Sequence, residues 1–245
     1  VWRDSMYTGK CKAMSELFEE EVNVVNAVLE TVAARNRDGK KAAIVEVGCG
    51  TAELLAAVSK CGSARGLVGV ELSQHMLDLA LEIHPRALGD APNVRLIQGN
   101  AMRLQEELKV AEGKELGSAE EGVGKVVAVV MNTFGIFPEA IRETVISEMV
   151  SAAGHNGAVV LGCWWGDKFR RGVEEFYKQN PKLCGVVLDE HCDFEAANLL
   201  VPDTGYSSHW WREEELRALF APHASEVDVE IRTFGIGIFA IAHRR

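Results

Sequence analysis

Apolar and polar positions along this chain follow two alternating periods. Ala42 to Val47 is a near-continuous apolar run, the pattern of a strand buried on both faces of a parallel sheet. Shorter runs at Gly66–Val70, Val94–Gln98, Val126–Met131 and Ala158–Gly162 predict four further strands. Helical spacing fills the intervals. Leu17, Phe18, Val22, Val25, Val28, Leu29 and Val32 form one stripe over Ser15–Ala33, and further helices are predicted over Glu53–Lys60, Gln74–Ile83, Ala140–Ala153 and Glu213–Phe220. His84-Pro85 stops the third of these, because the residue before a proline avoids the helical region. Arg103–Lys125 mixes Glu, Lys and Gly and predicts a loose helix followed by a surface loop. Strands alternating with helices make a doubly wound α/β sheet.

The first strand runs into a glycine turn, Gly48-Cys49-Gly50, and then a helix start. Such a turn lets backbone approach a ligand closely at the carboxyl end of a strand. Dinucleotide sites require a third glycine, G-x-G-x-x-G, and Glu53 stands in that place. A carboxylate there is expected to repel a pyrophosphate but not a ligand without phosphate. The next strand ends at Glu71, at the separation from which an acid reaches ribose hydroxyls. Cys49 reads as a small packing residue rather than a nucleophile.

Residues 163–211 depart from the simple pattern. The chain holds 17 aromatics (5 Trp, 3 Tyr, 9 Phe). Nine of them fall here: Trp164, Trp165, Phe169, Phe176, Tyr177, Phe194, Tyr206, Trp210 and Trp211. A connection of this length is an insertion over the strand ends. Its rings suit either a pocket for a small organic molecule or a small second core. The expected organisation is an N-terminal helix and lid (1–39), a ligand-binding domain (40–162 and 212–245) and a cap (163–211).

E-x-G-x-G-T over Glu46–Thr51, V-G-V-E-L-S-Q-H-M-L-D-L-A over Val68–Ala80, N-V-R-L-I-Q-G-N-A over Asn93–Ala101, V-V-M-N-T-F-G over Val129–Gly135 and G-A-V-V-L-G over Gly157–Gly162 come in one order, at one set of spacings. Together they resemble a class I S-adenosylmethionine-dependent methyltransferase across about residues 40 to 165. The resemblance implies a seven-stranded Rossmann-like sheet whose last strand, in a hairpin made by Val227–Thr233 and Gly235–His243, is antiparallel. It implies S-adenosylmethionine as cofactor, held by Glu46, Gly48, Cys49, Gly50, Glu71, Leu72, Met76, Asn100, Ala101, Met102 and Asn132. Asn100 replaces the acid usual at its position and keeps an acceptor oxygen. Asn132-Thr133-Phe134-Gly135 lacks the prolines of the N-P-P-Y motif found in methyltransferases of base amines.

Acceptor chemistry is less legible. His209 and Tyr206 are the expected catalytic groups, and Tyr7, Phe134, Trp164, Trp165 and Arg170 the expected acceptor-binding ones. A small-molecule acceptor is expected, with an amine nitrogen favoured over sulfur or oxygen. Alternatives are a protein or RNA methyltransferase, or a cofactor-binding regulatory protein without turnover.

Composition narrows this further. A formal charge of −10 disfavours nucleic acid and anionic membrane as partners. No apolar run reaches the length of a membrane span. The six cysteines are scattered without a C-x-x-C, so no metal site is expected and a reducing compartment is. The chain opens on Val1, and a cytoplasmic location is expected unless a targeting segment has been removed.

Overall fold

A computed structural model describes residues 11–36, 40–89, 91–111 and 124–245. Tyr7, and with it the expected lid, lies outside them.

The chain begins with α1 (Lys12–Arg35) and enters β1 (Ala43–Val47), α2 (Glu53–Cys61), β2 (Leu67–Glu71), α3 (Gln74–Ile83) and β3 (Val94–Gln98). It continues through α4 (Leu104–Ala111), β4 (Lys125–Val129), α5 (Thr133–Ile136), α6 (Glu139–Ala153) and β5 (Ala158–Trp164). The expected insertion holds α7 (Phe169–Gly172), α8 (Pro181–Cys184), β6 (Cys192–Asp193), β7 (Asn198–Val201) and β8 (Tyr206–His209). The chain then closes with α9 (Glu213–Phe220), β9 (Val227–Phe234) and β10 (Gly237–Arg244).

Seven strands form one sheet in the order β3-β2-β1-β4-β5-β10-β9. β1 pairs with β2 and with β4 in parallel, and β10 runs antiparallel to both β5 and β9. The order reverses between β1 and β4, so the loops leaving their carboxyl ends part and open a crevice there. Apolar alternation is absent from β1, whose five residues are all buried, because helices cover both faces of the sheet. Leu17, Val25 and Leu29 of α1 share one core with α2, α3 and most of the insertion. Val145, Ile146 and Met149 of α6 share the other with Leu216 and Phe220 of α9. The expected closing hairpin is present: β9 runs one residue further than expected, to Phe234, and β10 begins two residues later, at Gly237, and ends one later, at Arg244.

Two of the boundary differences bear on the site. β4 stops at Val129, not Met131, because Met131 and Asn132 take left-handed φ of 52° and 56° that no strand continues through. β5 runs on to Trp164, since β10 supplies partners as far as that residue. The insertion is mostly a core. Trp164, Phe169, Phe176, Tyr177, Trp210 and Trp211 are all buried, Trp211 in the second core beside Phe134, with ring centroids 5.2 Å apart. Its three short strands form a separate sheet in the order β6-β7-β8.

Candidate functional site

The glycine turn after β1 takes the shape its residues permit. Gly48 and Gly50 have φ of +66° and +51°, a region that costs side chains with a Cβ. A Cβ on Gly48 would also stand 2.6 Å from Thr133 Cγ2, so the first glycine is required by space as well as by conformation. The Gly48 amide donates to Val70 O at 2.8 Å, tying the turn to β2. Glu71, at the end of β2, is tied in return: Gly50 N donates to Oε2 and Ser73 N to Oε1, each at 3.0 Å. Each carboxylate oxygen keeps a second lone-pair direction for a ligand.

A cavity of about 280 Å³ lies against this turn. Glu46, Gly48, Cys49, Gly50, Thr51, Glu71 and Met76 line it from the β1 and β2 side. Val130, Met131, Asn132, Thr133 and Ile136 line it from the end of β4, and Trp164 and Tyr206 close it from the insertion. Two carboxyls line it and, among the described residues, no Lys, Arg or His. Burial first, and then the nearby Glu21 carboxyl, push Glu46 well above the usual carboxylate range. Burial likewise raises the Cys49 thiol, which removes any reactive thiolate from the turn.

Glu53 does not face this space with a free carboxylate. Its Oε2 lies 3.0 Å from His84 Nε2 between α2 and α3, with both side chains about 10% exposed. The absence of basic groups around the cavity is therefore a better objection to a pyrophosphate than Glu53 itself.

Among the cofactor residues expected from sequence, Glu46, Gly48, Cys49, Gly50, Glu71, Met76 and Asn132 come together in the cavity wall. Leu72 and Met102 are outside it but beside it in the fold, at the ends of β2 and β3, and are 70% and 37% exposed. Asn100 and Ala101 also lie off the cavity lining; the Asn100 side chain accepts from Met102 N at 2.9 Å.

Asn132 lines the cavity, and its side chain is also tied into the fold. Nδ2 donates to Ser208 Oγ and His209 O, and Oδ1 accepts from Trp164 N, all at 3.1 Å. It fastens the β4 turn to β5 and β8. Gly135 must be glycine for the same reason, because a Cβ there would overlap Asn132 and the His209 carbonyl.

His209, an expected catalytic group, is held by structural partners outside the cavity lining. Nδ1 lies 2.7 Å from Asn198 Oδ1, Nε2 lies 3.1 Å from Glu215 Oε1, and the ring stands edge-on to Trp211. Burial lowers its pKa, with Glu215 opposing, which favours the neutral ring. Neither nitrogen lines the cavity. Phe134 is fully buried against Trp211, Trp165 packs under Lys168, and Arg170 lies over the Phe194 ring at 4.0 Å. These three are not in the wall either.

Tyr206 is in it. Its hydroxyl shares a hydrogen-bonded group with Tyr177 and Ser208, and burial pushes its pKa up to about 12. It is a neutral donor and acceptor, not a base. The same network runs on, with Tyr177 Oη donating to Ser208 at 2.9 Å and Trp210 Nε1 donating to Tyr177 at 3.0 Å.

Sequence reasoning missed the apolar pair Val130-Met131, read as strand, and Thr133 and Ile136, which lie on the short helix α5 that follows. It also missed Glu21, a buried carboxyl on α1 whose signal was available: it lies four residues from both Leu17 and Val25 on the apolar stripe.

Residues 44–157 match the family model described as a methyltransferase domain. No curated protein matches the chain in sequence. Solved structures match in fold at low identity. An amino pentose methyltransferase from Micromonospora echinaspora, solved with S-adenosylmethionine, is 17% identical with a TM-score of 0.57, over 98% of this chain and 96% of that one. An N-methyltransferase from Bradyrhizobium japonicum, solved with S-adenosyl-L-homocysteine, is 11% identical with a TM-score of 0.51, over 93% and 87%. An O-methyltransferase family protein from Burkholderia thailandensis is 12% identical with a TM-score of 0.57, over 95% of this chain but 58% of that longer one. Among the described residues no group of side chains is arranged to hold a metal ion, and no helix is long and apolar enough to cross a membrane.

Proposed function

We propose that the chain, which carries a methyltransferase domain at residues 44–157, is a class I methyltransferase that methylates a small organic acceptor, at an amine nitrogen in preference to sulfur or oxygen. The observation that supports the cofactor assignment is the charge of the cavity wall, two carboxyls and, among the described residues, no basic side chain. Such a wall repels a phosphate ligand and favours one whose charged centres are a sulfonium and an ammonium. S-adenosylmethionine, when bound, supplies a methyl already activated by its positive sulfur.

The protein's work is to bind, orient and exclude water. Glu71, fixed by two backbone amides, offers its remaining lone pairs to the ribose hydroxyls. The exposed Leu72 and Met102 offer apolar surface to the adenine. Glu46 sits at the β1 turn, where a cationic ligand would draw it toward its charged form. Tyr206 orients the acceptor through its neutral hydroxyl, and Trp164 and Ile136 keep that end of the cavity dry. Carboxyls and aromatic rings together suit an amine.

Radiolabelled methyl transfer from S-adenosylmethionine to a panel of small amines, thiols, phenols and carboxylates tests this directly. Label on amines is expected. Label confined to protein or RNA would overturn the small-molecule reading, and cofactor binding without any transfer would overturn the enzymatic one. His209→Ala separates the tie from the site. It is expected to cost about 1–3 kcal/mol of stability, because Asn198 and Glu215 lose a partly buried partner, while transfer by the folded variant stays at the wild-type rate. A wild-type melting curve with lost transfer would return His209 to the site.

A further inference from the structure

Glu21 stands where α1 should carry an apolar residue. It is fully buried, and its Oε1 accepts from the Met131 amide at 2.7 Å across the end of β4. Its other oxygen, Oε2, has no hydrogen-bond partner among the described residues. β5 makes room for it with a glycine: a Cβ on Gly162 would stand 2.5 Å from Oε1. A single amide contact does little to offset burial, and the carboxyl is pushed up to about 8, so it is a neutral acid at neutral pH.

The amide it holds belongs to a strained turn. Met131 and Asn132 are successive non-glycine residues at positive φ, a conformation that persists only where surrounding contacts enforce it. Val130, Met131 and Asn132 are also cavity wall. Asn132 is fastened from the side of the insertion, to Trp164, Ser208 and His209. Glu21 fastens the preceding residue from the N-terminal helix.

We infer that Glu21 is a positioning residue for the ligand cavity: by accepting the Met131 amide it keeps the β4 turn in the left-handed shape that forms the wall. The inference rests on that cavity being the cofactor site. The titratable groups that face Glu21 are Glu46 on β1 and Cys163 on β5, both held toward their neutral forms by burial. Glu53 on α2 and Glu71 on β2 act on Glu46 in turn. Ionising Glu21 in this company places a charge among acids, draws the side chain toward water and releases Met131.

Calorimetry with S-adenosylhomocysteine, on the full chain at pH 7 and pH 9, tests the inference. Wild type is expected to bind at pH 7 and to weaken by about tenfold more than Glu21→Gln between the two pH values. Glutamine keeps the acceptor for Met131 and cannot ionise, and the comparison cancels the ligand's own titration. Glu21→Ala, where folded by circular dichroism, is expected to bind about tenfold more weakly at pH 7 while Glu21→Gln stays near wild type. If the alanine variant does not fold, the glutamine comparison decides alone. Equal pH dependence in wild type and Glu21→Gln, or a folded alanine variant that binds like wild type, would overturn the inference. A wild type that binds at neither pH would instead overturn the cofactor reading, and the inference with it.

Discussion

Trp210→Ala is expected to lower stability by about 3–5 kcal/mol, a fall in melting temperature of roughly 6–20 °C for a chain of this size. Trp210 is fully buried and its ring meets Trp164, Phe169 and Tyr177 at centroid distances of 5.1, 5.7 and 6.2 Å. The fit is close enough that a methyl on Gly172 would overlap the indole, so the void left by alanine has rigid walls and collapses poorly. A second cost is polar. Trp210 Nε1 donates to Tyr177 Oη, which continues through Ser208 to Asn132. Loss of the indole therefore loosens the tie that holds the cavity wall, and ligand affinity should fall along with the melting temperature. A loss below about 1 kcal/mol in thermal or denaturant unfolding would show that the insertion is not a cooperative part of the core.

Glu71→Ala is expected to weaken S-adenosylhomocysteine binding by about 1–3 kcal/mol, roughly 5- to 150-fold. The carboxylate is held by Gly50 N and Ser73 N, so its removal takes away both a charged acceptor for ribose hydroxyls and the brace between the glycine turn and β2. Both amides are near the surface, and water can replace the lost partner, so the effect on folding should be small. Calorimetry beside a melting curve separates the two. Unchanged affinity in a folded variant would refute the ribose assignment, whatever else occupies the cavity.

The strand ends of the sheet were legible because their information is local. The apolar run at Ala43–Val47, the glycines at 48 and 50 and the acid at 71 each answer to a backbone or solvation requirement that a few neighbours express. Most of the cavity on the β1 and β2 side followed from them. The β4 side was harder. Met131 looks like the end of an apolar strand, yet its φ is left-handed, held by contacts from a helix 110 residues away in sequence and, through Asn132, from residues about 76 farther on. No window of sequence contains those partners.

His209 and Phe134 lie outside the cavity lining for a related reason. A histidine among aromatics and a phenylalanine beside the switch point are plausible site residues by composition. What decides their role is which way the backbone points them, and here Asn198, Glu215 and Trp211 take both side chains out of the cavity. Glu21 shows the converse. A carboxyl on an apolar stripe can signal either a solvated helix edge or a buried tie, and only the approach of β4 and the room left by Gly162 make it the second.

By itself, then, the order of residues determined the alternating strands and helices, the glycine turn and the acid opposite it, because short-range sterics and burial periodicity are written at the scale of a few residues. Tertiary structure decided which side chains meet the ligand space and which brace it. That choice depends on contacts between elements far apart in the chain, where a rotation of one strand end exchanges a cavity wall for a core.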